Sequence, residues 1–579
     1  MAQRLVIDPL TRIEGHLRIE LEYDGKSISK AWSETTQFRG IETILNGRDP
    51  RDAWAFAQRI CGVCTTVHAI ASITAVENAI QSNPPTQAQL IRDIILGAQQ
   101  VQDHVIHFYH LHALDWVNVA NAAKGDPAKA VALADTIGST WKGNTLARMT
   151  EVRDTVQAIV TSGQLSIFTG GYWSHPDYRL PAEADLMAVA HYLDALEFQR
   201  SMIRIHTVFG GKNPHPNFLV GGMACTIDQD HSESINQVQL DDIQGWINDT
   251  TDFVTSCYVP DALAIMSFYK DYFDIGAAQG NFMAVGMAGA TYAGDPNSAR
   301  GTYANTGVKP GLLLNGDFTT VHPFDPTKVA EGVTSAWYTY EGGDVELTPD
   351  KGETTPAYTG PQPPYTWVGD QDKYTWCKAP RYDGQAVQVG PLARVLLAYA
   401  QGHAPTKQLV DSAAKTLGIT LSQMNSTGGR TLARAVECAT SAQILAETSW
   451  PAFLANIKAG DINVFDASKW DPSSWPSHCE GYSFVEVPRG NLSHWVTIDN
   501  GAISRYQAVV PTTWNGSGRD SKGQEGAFEM SLDGDGKHPL ADPTQPLEPL
   551  RTIHSFDPCM SCAVHVLDPD GEELEVVTS

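Results

Sequence analysis

Two cysteine pairs near opposite ends of the chain are the residues best suited to do chemistry. The first is Cys61-Gly62-Val63-Cys64 and the second is Cys559-Met560-Ser561-Cys562. A Cys-x-x-Cys turn puts two sulfurs within reach of one metal ion, and two such turns supply four thiolates. Taken alone, the four cysteines also fit a closed structural zinc site, and one pair alone fits a redox dithiol. The residues around the pairs must decide between these chemistries.

The other five of the nine cysteines are isolated in the sequence, at Cys225, Cys257, Cys377, Cys438 and Cys479. An odd and sparse set in 579 residues argues against a secreted disulfide framework. We interpret these five as buried core thiols, because a free cysteine behaves as a small apolar side chain.

Charge and hydropathy exclude two classes of partner. The chain has 40 Lys plus Arg against 66 Asp plus Glu, a formal net charge of -26, so a nucleic-acid partner is not expected. No stretch approaches the roughly 20 apolar residues of a membrane helix. The first ten residues lack the apolar core of a signal peptide. Any membrane attachment or export is therefore expected to come from another chain.

Apolar periodicity predicts the elements that position the cysteine pairs. Spacings of three and four residues predict long helices, which are typical of a bundle core. These helices are predicted after Pro85 and over 182–205, 241–258 and 431–454. Alternating residues predict an N-terminal hairpin between Leu5 and about Tyr23, and further strands after Tyr482.

We therefore expect an α+β fold that is predominantly α, with a core of long helices and peripheral β-rich and irregular segments. No repeat or long linker separates independent domains, so residues 1–579 are expected to form a single architecture. The predicted segments are 1–83 (N-terminal β region and first cysteine pair), 84–288 (helical core), 289–382 (irregular β-rich insertion), 383–565 (helices and second cysteine pair) and 566–579 (terminal tail).

Polar motifs surround the cysteine pairs, which a structural zinc site does not require. They are Asp8-Pro9-Leu10-Thr11-Arg12-Ile13-Glu14-Gly15-His16, Phe38-Arg39-Gly40-Ile41-Glu42, Gly47-Arg48-Asp49-Pro50-Arg51, Val487-Pro488-Arg489-Gly490 and Val510-Pro511-Thr512-Thr513-Trp514-Asn515. His68 and His565 follow the two pairs. In this order and spacing, the motifs resemble the signature regions of nickel-iron hydrogenase large subunits, from residue 8 to residue 565.

The resemblance implies that Cys61, Cys64, Cys559 and Cys562 hold nickel. Cys64 and Cys562 would bridge it to an iron that also carries carbonyl and cyanide ligands, and soft thiolates suit such a metal pair. The implied activity is heterolytic cleavage or formation of H2, with oxidation the expected direction. That reaction needs a Lewis-acidic centre to take hydride and a base to take the proton, both within bonding reach.

The resemblance also assigns the acid-base groups. Glu14 matches the proton gate beside a terminal cysteine, and its alternative is an ordinary surface glutamate. Arg489 points at the bridging position, either as a base or as a hydrogen-bonding and electrostatic group, since arginine is normally always protonated. Asp103 and Asp557 would hold its guanidinium by charge-assisted bonds.

Other residues are expected around the metals. His68 would donate to a bridging sulfur, while Pro511 and Thr512 would contact the diatomic ligands of the iron. Asp103, His107 and His110 are predicted on the helix face opposite the apolar stripe, as a polar lining of the site. The alternative for the two histidines is that they are satisfied core residues.

A second metal and a partner contact follow from the same resemblance. Glu42, the backbone carbonyl of Ala508 and His565 match a magnesium site, with alanine in place of the leucine common at position 508. His215 lies in a segment, 210–216, that would face the nearest iron-sulfur cluster of a partner, and a plain loop is the alternative.

The expected partner is an iron-sulfur small subunit in a heterodimer, because this chain has no cysteines left in a cluster arrangement. Maturation by metallochaperones and by a peptidase that removes the fourteen residues after His565 is also implied. A signal-bearing small subunit would place the protein in the periplasm or at the membrane, and the cytoplasm is the alternative. Three rival interpretations are an H2 sensor on the same fold, the metal-free quinone-site subunit of complex I, and a zinc-stabilised structural protein.

Overall fold

A computed structural model describes residues 3–165, 168, 171–293, 306–360, 367–369, 372–534 and 537–560. The strands are β1 Gln3–Ile7, β2 Leu17–Asp24, β3 Ser27–Thr35, β4 Phe282–Ala284, β5 Thr291–Tyr292, β6 Gly311–Leu313, β7 His322–Pro323, β8 Val329–Gly332, β9 Tyr338–Thr339, β10 Thr355–Pro356, β11 Ala379–Tyr382, β12 His478–Val487, β13 Gly490–Asp499 and β14 Ala502–Val509.

The α-helices are α1 Ile41–Leu45, α2 Ala53–Ala57, α3 Val67–Ile80, α4 Thr86–Ile106, α5 Val119–Ala122, α6 Pro127–Thr136, α7 Leu146–Ser162, α8 Ala182–Met202, α9 Arg204–Gly210, α10 Gln237–Phe253, α11 Val259–Phe268, α12 Pro391–Ala400, α13 Ala404–Leu417, α14 Thr427–Ile444, α15 Trp450–Lys458, α16 Pro511–Gly516, α17 Ala527–Asp533 and α18 Leu547–Ser555. The α+β, predominantly α fold expected from the sequence is confirmed.

Long helices form the core, as the apolar periodicity predicts. α4 packs against α8 and α14, and α10 packs against α8 and α14. The four predicted helices are confirmed, but three of them continue into π-helical turns at 107–112, 254–258 and 445–449. A π turn adds a residue to the helical repeat, so side chains beyond it leave the face that the preceding helix would give them. Among the described residues, no helix is both long and apolar enough to cross a membrane.

The predicted N-terminal hairpin is confirmed as part of an antiparallel sheet in the order β1-β2-β3. Its buried face presents Ile19 and Leu21 to Phe528 on α17 and Ile553 on α18 in one apolar cluster. This packing brings the loop between β1 and β2 to the end of α18. The loop between β1 and β2 and the segment that follows α18 are thereby brought together at the site.

A second sheet, in the order β14-β13-β12-β5, supports the other side of the site. α3 packs on β12 and β13, and nearly all of β13 is buried. The turn between β12 and β13 contains Arg489, followed by Gly490 with a φ of 143°. A Cβ on Gly490 would lie 2.6 Å from the Cγ2 of Val389 and 2.8 Å from the nitrogen of Gly390, so the turn requires glycine. The described parts of 289–382 hold short strands between loops.

Candidate active site

Three of the four predicted thiol ligands meet in the interior. The Sγ of Cys559 lies 3.5 Å from that of Cys61 and 3.9 Å from that of Cys64, and all three side chains are buried. The three sulfurs lie within 4.8 Å of one another, close enough to share a metal. Cys562, the fourth predicted ligand, lies outside the described residues.

The first cysteine pair owes its shape to the chain on either side. A single 3-10 turn, Gln58–Ile60, ends at Cys61, and the backbone nitrogen of Cys64 donates to the Sγ of Cys61 over 3.2 Å. Helix α3 begins at Val67, so its N-terminal end faces the pair. The N–H of Val67 donates to the carbonyl of Cys64 over 3.4 Å, which ties the start of the helix to the pair.

Cys559 reaches the first pair because the chain turns sharply after α18. Asp557 has a φ of 62°, a left-handed conformation that aspartate tolerates better than most residues do just past a helix end. The next residues pair with the N-terminal loop in a short parallel bridge. Glu14 donates its N–H to Pro558, and Met560 donates its own to the carbonyl of Glu14 over 2.8 Å.

Glu14 lies beside the sulfur that this bridge delivers. Its Oε2 is 3.2 Å from the Sγ of Cys559, within hydrogen-bonding distance for sulfur. The backbone bridge between the two residues fixes that separation. Glu14, which is half-buried, is therefore held within hydrogen-bonding reach of the thiol of Cys559.

The guanidinium of Arg489 is clamped between two buried carboxylates. Its Nη1 lies 3.2 Å from Asp103 and its Nη2 lies 3.0 Å from Asp557. Burial opposes the charge, but Asp557, Cys559 and Asp103 outweigh it and hold the pKa of Arg489 well above its ordinary value. Burial nevertheless raises the pKa of Asp103 to about 7, because it outweighs the opposing charge of Arg489 and because Asp557 adds to the rise.

A small cavity adjoins the thiols on the side of Arg489. Its wall is apolar apart from a few groups, and it is lined by Cys64, Val67, His68, Val487, Pro488, Arg489, Leu492, Val510, Pro511, Thr512 and Cys559. The Oγ1 of Thr512 accepts from the backbone nitrogen of Cys559 over 3.1 Å, which leaves its hydrogen for another acceptor. Burial lowers the pKa of His68 to about 4. His68, Pro511 and Thr512, which the sequence predicts around the iron, thus line the same cavity.

The sequence left two interpretations of His107 and His110, a polar lining of the site and core residues. Both belong to the π-helical turn after α4, and α4 itself is buried around most of its circumference. The Nε2 of His107 contacts the carbonyl of His554 at 2.6 Å, and the Nε2 of His110 contacts that of Tyr192 at 3.2 Å. These two contacts favour the core interpretation, although the Nδ1 of His107 has no hydrogen-bond partner among the described residues, while Asp103, before the π turn, contacts Arg489.

The candidate magnesium site has a component that the sequence analysis missed. Glu42, in the first turn of α1, accepts from the nitrogen of Ala508 over 2.9 Å, so these two predicted residues are in contact. The Nζ of Lys378 lies 3.6 Å from Glu42 and 4.0 Å from Glu331. Burial lowers the pKa of Lys378, but Glu42 and its neighbours raise it further above the ordinary value. His565 lies outside the described residues.

His215 lies at the surface above the first cysteine pair. Its backbone nitrogen donates to Thr65, and a Cβ on Gly62 would lie 3.8 Å from its Nε2. Gly62 and Val63 are exposed although the cysteines on either side are buried. The thiols are thus covered on this side by only one turn of chain.

A buried set of thiols joined to a carboxylate and an arginine clamp defines a metalloenzyme subunit. The family model described as nickel-dependent hydrogenase matches residues 39–565, and one described as HoxL-like matches residues 4–38. The chain belongs to the nickel-dependent hydrogenase family and is a catalytic large subunit of a hydrogenase. The family resemblance is confirmed.

Relatives cover nearly the whole chain. It is 46% identical to the uptake hydrogenase large subunit of Rhizobium leguminosarum bv. viciae and 45% identical to the hydrogenase-1 large chain of Escherichia coli (strain K12); each comparison covers 99% of this chain and 96% of the relative. Among solved structures, the Ni-Fe-Se hydrogenase of D. vulgaris Hildenborough in the as-isolated oxidized state has a TM-score of 0.74 and 30% identity, covering 98% of this chain and 100% of that one.

Proposed function

We propose that the chain oxidises H2 by heterolytic cleavage at a nickel-iron centre held by Cys61, Cys64, Cys559 and Cys562. The observation that carries this is the meeting of three buried thiols, from positions 498 residues apart, beside a carboxylate and a clamped guanidinium. The donor set fits the metals, because soft thiolates suit nickel and low-valent iron. The relatives named uptake hydrogenase favour the oxidising direction.

When bound, the centre supplies the Lewis acid and accepts the two electrons of H2. The chain supplies the rest. Glu14, in the N-terminal loop, takes the proton from the Sγ of Cys559 across 3.2 Å. Arg489, held by Asp103 and Asp557, acts through its charge and its hydrogen bonds at the cavity, since two carboxylates keep it protonated. Val67, Leu492 and their apolar neighbours limit water at the reacting atoms.

Electrons are proposed to leave over the exposed turn at Gly62 and Val63, beside His215, to an iron-sulfur small subunit. Thr512 and Pro511 line the cavity where the carbonyl and cyanide ligands of the iron are proposed to sit. Magnesium is proposed at Glu42, the carbonyl of Ala508 and His565, with Lys378 as a neighbouring fixed charge. Metallochaperones and a peptidase acting after His565 are proposed for maturation.

The test combines three measurements on purified protein with its small subunit. Nickel and iron analysis, infrared absorption in the carbonyl and cyanide region, and H2-dependent dye reduction are all expected to be positive. Stoichiometric zinc without nickel would restore the structural-zinc interpretation. Infrared bands with only trace dye reduction would favour the H2 sensor, and their absence from nickel-loaded protein would contradict the diatomic ligands. Intact mass would show whether the fourteen residues after His565 are removed.

A further inference from the structure

His68 is one end of a buried row of hydrogen-bonding side chains behind the thiols. Its Nδ1 lies 3.0 Å from the Nε2 of His494, and the Nδ1 of His494 lies 2.5 Å from the hydroxyl of Tyr506. The three residues come from α3, β13 and β14, and none is more than 1% exposed. The sequence analysis singled out only His68.

The contact between the two rings restricts their hydrogens. Two ring nitrogens can form a hydrogen bond only when one carries a hydrogen and the other does not. In one arrangement Tyr506 donates to His494, His494 donates from Nε2 to His68, and the hydrogen of His68 is on Nε2. In the opposite arrangement His68 donates from Nδ1, and its Nε2 is a bare acceptor.

The thiols decide between the two arrangements. His68 lines the same cavity as Cys64 and Cys559. A metal-bound thiolate can only accept, so a ring nitrogen turned towards it must carry the hydrogen. Nδ1 of His68 is engaged with His494, which leaves Nε2 for that purpose. The tyrosine hydroxyl can donate to His494 as the first arrangement requires.

We propose that His494 and Tyr506 are positioning residues that keep the hydrogen of His68 on Nε2, where a thiolate of the metal centre can accept it. This inference rests on the proposed function, because it takes the sulfurs to be metal-bound thiolates. A hydrogen bond withdraws electron density from a ligating sulfur and so tunes the metals. Its loss makes the iron more electron-rich and weakens the bond of a carbonyl on it.

The experiment compares three substitutions by infrared spectroscopy of the assembled enzyme. His494→Met removes the donor at similar size, and Tyr506→Phe removes a single oxygen. His494→Gln retains an amide donor where the imidazole had one. We expect the carbonyl band to move to lower wavenumber in His494→Met and Tyr506→Phe, and to return towards the wild-type position in His494→Gln. Activity is expected to fall about tenfold in the first two, the low end of losses for residues that orient metal ligands.

The control is His478→Met, an exposed histidine on the neighbouring strand β12, which is expected to leave the band in place. An unmoved band in Tyr506→Phe would overturn the inference, even where His494→Met fails to assemble. Equal shifts in His494→Gln and His494→Met would also overturn it, because packing alone would then account for them. Absence of carbonyl and cyanide bands in the wild-type protein would instead overturn the proposed function, and this inference with it.

Discussion

Substitution of Glu14 by glutamine separates proton transfer from structure at the metal centre. The glutamine amide has the size of the carboxyl group and can still contact the Sγ of Cys559, 3.2 Å away, but it cannot take up a proton. Positioned proton transfer contributes about 100- to 10,000-fold to a rate, so H2 oxidation should fall by that factor. The loss corresponds to roughly 3 to 5 kcal/mol of activation free energy.

The assay is H2-dependent dye reduction, with infrared spectra recorded on the same samples to show that the centre has formed. Glu14→Asp keeps the carboxyl group but shortens the side chain by one methylene. A misplacement of about 1 Å costs on the order of 100-fold in rate, so dye reduction should fall in this variant as well. Glu22→Gln, on the same N-terminal sheet, is the matched control and should keep the wild-type rate. A Glu14→Gln variant that retains more than about a tenth of the wild-type rate, with its spectrum intact, would show that Glu14 does not transfer the proton.

Two further substitutions test the charges. Arg489→Lys keeps the charge but cannot reach Asp103 and Asp557 together, so dye reduction should fall about 100- to 1,000-fold with the infrared bands retained. Burial raises the pKa of Asp185 to about 7, so the folded chain binds this proton more tightly, and stability is lost as pH rises from about 4 to 7. Asp185→Asn should therefore stabilise the protein, relative to wild type, by about 2 to 3 kcal/mol more at pH 8 than at pH 5.

Each of these has a clear contrary result. A lysine variant with the wild-type rate would show that the two-sided clamp on residue 489 is dispensable. Equal differences in unfolding free energy at pH 5 and pH 8 would show that Asp185 does not change its protonation in this range. Asp185 also accepts hydrogen bonds from Asn118 and Asn121. Any pH-independent change in unfolding free energy from altering these bonds is the same at pH 5 and pH 8, so it cancels in the comparison.

The sequence predicted what local pattern determines and missed what distant packing determines. Apolar spacing located the long helices, and the cysteine pairs predicted the three thiols that meet in the interior. The π turn after α4 has no compositional signal, so the directions of His107 and His110 could not be predicted from the helical spacing. Lys378 stands alone in a region of irregular loops, and nothing near it in the sequence indicates that it lies 3.6 Å from Glu42.

The row of hydrogen-bonding side chains that begins at His68 could not be predicted for a related reason. His494 and Tyr506 occupy alternating positions in two paired strands, where buried polar residues look like ordinary sheet residues until the register is known. Their role depends on α3 crossing that sheet at His68. Only a three-dimensional structure supplies that crossing.

The parallel bridge between Glu14 and Cys559 can form only late in the synthesis of the chain. The ribosome adds roughly 5 to 20 residues per second, so the 498 positions between Cys61 and Cys559 take about 25 to 100 seconds to translate. Throughout that interval the thiols of Cys61 and Cys64 lack that of Cys559, and the carbonyl of Glu14 cannot yet accept from the N–H of Met560. A chain truncated within α18 would contain most of the described core but would lack Cys559. The three thiols can thus meet only when nearly the whole chain has been synthesised.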